Sequence, residues 1–220
     1  MSIVVCNNKY EDIKEHIRRE DQIIVVKKFE DENICHKARE SAHLFTKEHA
    51  PVVEEIESKT FWRMDVLPSN TQTDRIFRTI MQIYDNENNL DLIKGVFRKM
   101  IDLQIACLGG AYSDSKDSYV KPQMIHYPTG GGFFDWHTHP RYPTNYGIIL
   151  NLSQKDNQFY TGSTEFKIDN GQIVNVEEYV DIGDLILFRY DLPHRVTPCD
   201  PEKNLEFSSQ GRWTAIVPIY

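Results

Sequence analysis

Apolar residues recur at two different spacings along this chain, and the change from one to the other divides it. Residues 2–6 hold a short β-branched run that predicts an edge strand, and residues 11–19 carry Ile13 and Ile17 four apart among charges, the spacing of a short amphipathic helix. The run Gln22-Ile-Ile-Val-Val-Lys27 predicts a buried strand. Asp31 is placed to cap a helix over 33–49, where Ile34, Ala38, Ala42 and Phe45 form one stripe and Pro51 marks the end. An aromatic-rich strand follows over 59–67, closed by Pro68-Ser-Asn. Thr73-Asp74 then predicts a capped helix with Ile76, Phe77, Ile80, Met81 and Tyr84 on one face, ended by the polar run 85–89. A further helix, with Leu90, Ile93, Phe97, Met100, Ile101 and Leu108 inward, stops at Gly109-Gly110. These helices are expected to buttress a sheet, and the polar stretch 111–118 to form a mobile loop.

After residue 118 the pattern becomes that of short strands. Eight candidates, over 119–127, 134–139, 147–152, 163–168, 172–176, 184–188, 194–197 and 212–218, are separated by Gly, Asn-Gly or Asp-Pro signals. Eight strands in about a hundred residues suit a jelly roll. The expected class is therefore mainly β with supporting helices: a region over 1–118 packed outside a β core over 119–220, together one compact domain.

Composition narrows the functions. A net charge of −8 with no basic stripe argues against nucleic-acid partners. Four scattered cysteines without a C-x-x-C pair indicate neither a zinc knuckle nor a disulfide framework, and fit a reducing compartment. No run approaches the ~18 apolar residues of a membrane span, so a cytoplasmic protein with no membrane partner is expected. The pattern sets no oligomeric state. Gly130-Gly-Gly132 precedes no helix pattern and no Lys-Ser/Thr, so it reads as a tight turn and not as a phosphate cradle. His16, His36, His43 and His49 lack the spacing of a helical metal pair and are expected to be solvated.

Chemistry concentrates in Tyr127-Pro-Thr-Gly-Gly-Gly-Phe-Phe-Asp-Trp-His-Thr-His139 and what answers it later. Side chains of an extended strand alternate faces, so His137 and His139 can share one ion, with His194 as third imidazole. Asp135, also two residues from His137, is the alternative to His139 as third ligand.

Six elements in order carry a family resemblance: Tyr127, Gly131-Gly-Phe133, His137-Thr-His139, Gly183-Asp-Leu-Ile-Leu-Phe188, His194 and Arg212-Trp-Thr214. Residues 123–220 resemble the double-stranded β-helix, a cupin-like jelly roll, of iron(II)/2-oxoglutarate-dependent oxygenases, nearest the prolyl-hydroxylase-like branch. His139 stands where that family has a carboxylate. The resemblance implies Fe(II) as metal, 2-oxoglutarate as co-substrate, dioxygen as oxidant, and hydroxylation of a C–H bond, here expected on a small molecule. It further implies that Arg212 forks onto the distal carboxylate of 2-oxoglutarate, with Thr214, Tyr127 and Asn145 beside it. Arg141, just after the metal motif, is placed to meet an anionic substrate. The connection from His194 to Arg212 is longer than is usual in the family, which brings Arg189 and Arg195 in as substitutes for Arg212. Three other functions stay open: a prolyl-type hydroxylase of protein side chains, a cupin-type three-histidine dioxygenase that uses no oxo acid, and a non-catalytic binding barrel that has lost its acid.

Overall fold

The computed structural model describes residues 3–48, 61–66, 76–83, 91–108, 120, 122–141 and 144–218. Strand β1 (Ile3–Asn7) and strand β2 (Ile23–Lys27) lie parallel, joined across helix α1 (Tyr10–Arg18). Helix α2 (Glu32–Glu48) starts as its sequence predicts: Oδ1 of Asp31 accepts the backbone N–H of Asn33 at 2.9 Å and of Ile34 at 3.3 Å. Strands β3 (Phe61–Val66) and β4 (Ile76–Ile83) precede helix α3 (Asp91–Leu108). The expectations that fall on residues 49–60, 67–75, 84–90 and 109–119, among them His49 and the loop over 111–118, lie outside the described residues.

One expected element changes type. The apolar positions 76, 77, 80 and 81 match a helical stripe, yet β4 is a strand, paired with β3 on one side and with β5 (Gln123–Tyr127) and β6 (Gly132–His137) on the other. Residues 76–83 read Ile-Phe-Arg-Thr-Ile-Met-Gln-Ile, half of them β-branched. Such residues lose side-chain freedom in a helix and pack well on a pleated surface, and three neighbouring strands supply the ladder.

The eight strands after residue 118 are present as β5, β6, β7 (Tyr146–Asn151), β8 (Thr164–Lys167), β9 (Ile173–Asn175), β10 (Leu185–Arg189), β11 (His194–Cys199) and β12 (Arg212–Ile216). Their order runs β1-β2-β10-β7-β12-β5-β4 through the first sheet, then β6-β11-β8-β9 through the second, with β4 belonging to both. The N-terminal strands therefore extend the sheets, β2 by pairing antiparallel with β10.

Period-2 alternation sorts the first sheet's side chains between two environments. Leu185, Leu187, Trp213 and Ala215 join Ile13, Ala38, Met100 and Leu103 of the three helices in the larger core. Ile186 and Phe188 face the other way, toward Phe166 and Val174 of the second sheet. By the same alternation Arg212 and Thr214 face the space between the sheets, as do Ile125 and Tyr127 of β5.

Of the N-terminal histidines, His16 hydrogen-bonds Asp21 at 2.8 Å and His36 lies 3.4 Å from Glu32. His43 departs from expectation: it is buried, one helical turn beyond the buried Arg39 on α2, and burial lowers its pKa. The four cysteines are free, and burial pushes Cys35 and Cys199 up to about 12, so both remain thiols near neutral pH. No helix among the described residues is long and apolar enough to cross a membrane.

Candidate metal centre

His194 opens β11 and is the direct cross-strand partner of His137, which ends β6. Opposed residues on antiparallel strands project to the same face with Cβ atoms about 4.5–5.5 Å apart, so the pairing itself brings the two imidazoles together. Their ring centroids are 4.0 Å apart. His139 lies beyond the end of β6, where its N–H donates to the carbonyl of Tyr190 at 3.2 Å and its ring stacks on the Tyr190 ring at 4.6 Å. This contact turns its imidazole back toward the pair, 5.1 Å from His137 and 5.2 Å from His194 between centroids. One nitrogen from each histidine falls within 4.8 Å of the other two.

Two hydrogen bonds fix the tautomers. Nδ1 of His137 lies 2.8 Å from the carbonyl of Asp135, and Nδ1 of His194 lies 2.9 Å from the carbonyl of Leu192. A carbonyl only accepts, so each Nδ1 carries the proton and donates, and each Nε2 presents the lone pair that a metal requires. Phe134 stacks on His137 at 3.7 Å, and Phe188 and Phe166 meet His194 at 4.8 and 5.7 Å, making the inner wall apolar.

Asp135 is outside this group. Its Oδ1 accepts the N–H of Trp136 at 2.7 Å. Three imidazoles with one nitrogen each within 4.8 Å of the other two suit a divalent ion such as iron(II), and they bring no anion to balance its charge.

The expected co-substrate clamp has a different character. Gly211, at a φ of 97°, lets the chain enter β12 against Tyr127; a Cβ there would meet the Tyr127 carbonyl at 2.6 Å. Arg212 follows, 1% exposed, with its Nε–Nη2 edge engaged by a carboxylate of its own chain. Its Nε and Nη2 donate to Oε1 of Glu177 at 2.9 and 2.6 Å, and Nη2 also donates to the Thr164 hydroxyl at 2.7 Å. Glu177 sits in a 3₁₀ turn, Val176–Glu178, between β9 and β10. The residues expected to hold the second carboxylate of 2-oxoglutarate thus do not fit it as they stand, because Glu177 takes the Nε–Nη2 edge of Arg212, the edge that would fork onto it.

The other expected residues are distributed around this core. Thr214 is buried opposite Asn151 of β7, whose amide donates to the Asp181 carbonyl at 3.1 Å and whose Oδ1 is buried without a partner. Tyr127 is buried in the wall with Ile125, Phe159 and Val196. Asn145 is exposed in the bend before β7, and Arg141 is exposed just past the metal motif. Arg189 pairs with Asp169 and Asp191, and Arg195 pairs with Glu165 while covering the Trp136 ring at 4.7 Å, so neither substitutes for Arg212 inside the barrel. Glu177 and Thr164 were not singled out by the sequence; the nearest signal was Asn175, whose side chain accepts the Glu177 N–H at 2.9 Å and sets the turn.

No protein-family model and no curated protein sequence matches the chain. Solved structures do. A prolyl-4-hydroxylase from Pseudomonas putida is 15% identical with a TM-score of 0.64, covering 95% of this chain and 97% of its own. A prolyl hydroxylase from Trichoplax adhaerens, solved with a hypoxia inducible factor oxygen degradation domain peptide, is 16% identical with a TM-score of 0.64, covering 94% and 87%. A 2OG-Fe(II) oxygenase family oxidoreductase from Burkholderia pseudomallei is 11% identical with a TM-score of 0.51, covering 99% and 93%. The chain shares their fold, the double-stranded β-helix, over nearly its whole length.

Proposed function

We propose that this protein is a mononuclear non-haem iron(II) oxygenase that uses dioxygen and a 2-oxo acid to hydroxylate a C–H bond of a small molecule. The observation that carries the reading is the convergence of His137, His139 and His194 on one point at the end of the barrel. The oxygenase chemistry is carried over from the fold neighbours, one of which is described as a 2OG-Fe(II) oxygenase.

When bound, iron(II) supplies the electron transfers that let dioxygen react with an unactivated C–H bond. The protein's own residues do the rest. The carbonyls of Asp135 and Leu192 hold two imidazoles in the ligating tautomer, and Tyr190 holds the third in place. Phe134, Phe166 and Phe188 exclude water from the inner side of the metal position. Arg141, exposed beside the histidines in sequence, is where an anionic substrate would first be met.

The reaction balances as follows: one oxygen atom enters the oxo acid, which loses carbon dioxide to become the next shorter carboxylate, and the other enters the substrate as hydroxyl. Each of the two donors gives two electrons and dioxygen takes four. The test is turnover under ¹⁸O₂ with iron, a panel of 2-oxo acids and candidate substrates. One label in each product is the expected result. Both labels in one product, with no oxo acid consumed, would replace this reading by a three-histidine dioxygenase without co-substrate, which the Arg212–Glu177 pair favours as the second reading. A peptide is the rival substrate class, since the Trichoplax neighbour was solved with one; stimulation of oxo-acid decarboxylation by intact polypeptides and not by small molecules would select it.

A further inference from the structure

The guanidinium of Arg212 reaches across the barrel to a definite place. It donates to Thr164, which pairs with Val196 on β11, two residues from the point where Phe166 pairs with His194. Two residues of strand span about 6.5–7 Å. Arg212 therefore lies one short carbon chain away from the metal histidines, where the far end of a metal-chelating dicarboxylic acid would arrive. Glu177 already holds that position. Its side chain is 2% exposed, and its Oε1 also accepts the Thr164 N–H at 3.3 Å.

Resting on the oxo-acid reading above, we propose that Glu177 determines co-substrate specificity: its carboxylate takes the place of a distal carboxylate on Arg212, so that the metal site accepts a 2-oxo acid with one carboxylate, of the pyruvate type, and rejects 2-oxoglutarate. A second carboxylate would bring a like charge against Glu177 among side chains closed to bulk solvent. Displacing Glu177 is no easier. Its N–H is tied to Asn175, and the turn is anchored by Val176 and Val180, both buried.

The experiment is anaerobic titration of the iron(II)-loaded protein with pyruvate and with 2-oxoglutarate, following the visible charge-transfer band of the chelate. The wild type should bind pyruvate more tightly by about tenfold or more, a difference of ~1.4 kcal/mol. In E177Q the amide no longer repels a carboxylate and Arg212 is released to bind one; affinity for 2-oxoglutarate should rise by about tenfold or more while that for pyruvate changes little. The charge-free pair E177L/R212M, which keeps the packing, should retain pyruvate and gain no affinity for 2-oxoglutarate. Equal or tighter binding of 2-oxoglutarate by the wild type, or an unchanged preference in a folded E177Q, would overturn the inference and leave the oxo-acid reading intact. Stoichiometric iron with neither acid bound by wild type or E177Q would overturn both, and failure to bind iron would overturn the metal centre itself.

Discussion

Among single residues, three imidazoles and one buried ion pair set the chemistry of the barrel. His137→Ala and His194→Ala should each abolish stoichiometric iron binding, because each removes one of the two rings that the strand pairing and a carbonyl hydrogen bond preorganise in the ligating tautomer. His139→Ala should weaken it, whereas Asp135→Ala should leave it nearly intact, since that carboxylate is turned onto the Trp136 N–H. Metal analysis after gel filtration reads all four variants; retained iron in His137→Ala or His194→Ala contradicts the assignment. The ion pair gives a stability cycle. Arg212→Ala leaves the Glu177 carboxylate buried and unpaired and should destabilise the protein by about 3–5 kcal/mol in urea, while E177L/R212M should lie within about 1–2 kcal/mol of wild type. A double variant no more stable than Arg212→Ala would mean that the pair does not act as one unit.

At the scale of elements, Asp200 illustrates how loops are fixed around the barrel. Just past β11, it accepts the N–H groups of Tyr160 and Thr161 at 2.9 and 2.7 Å and the Lys203 ammonium at 2.8 Å, while its carbonyl accepts the Gly130 N–H at 3.1 Å. Burial works against its charge, but Lys203 and the two N–H groups outweigh it and lower the pKa below the usual carboxylate range. A carboxylate with a depressed folded-state pKa stabilises fully above its unfolded value of about 3.9 and loses that contribution as pH falls through the folded value. Asp200→Asn should therefore cost about 2–3 kcal/mol at pH 7, and its deficit against wild type should shrink below about pH 4. Denaturation curves at the two pH values decide it; a deficit independent of pH would make the loss one of geometry and not of charge. Elements of this kind were partly legible in the sequence. The Asp31 cap and the eight C-terminal strands follow from local signals that tertiary contacts do not oppose. β4 does not, because its apolar spacing satisfies both periods and only its neighbours β3, β5 and β6, remote or unpaired in sequence terms, decide between them. Glu177 was invisible for a related reason: an acid in a turn looks solvated until the fold brings Arg212 across 35 positions to meet it.

At the scale of the whole molecule, the N-terminal region is structurally part of the barrel. β2 covers the edge of β10, β4 links the two sheets, and the three helices bury Leu185, Leu187, Trp213 and Ala215 from outside. A chain beginning at residue 119 would expose that apolar face and the β10 edge, and should give no cooperative thermal transition and no stoichiometric iron binding. A sharp transition with bound metal would show the strands after residue 118 to be self-sufficient. Fe K-edge X-ray absorption of the anaerobically iron(II)-loaded protein decides whether the three histidines together hold the metal. Three imidazole nitrogens are expected at about 2.0–2.2 Å, by analogy with zinc–imidazole distances, falling to two in the iron that His139→Ala still holds. Two imidazoles in the wild type, with a spectrum unchanged by His139→Ala and altered by Asp135→Ala, would contradict the three-histidine centre.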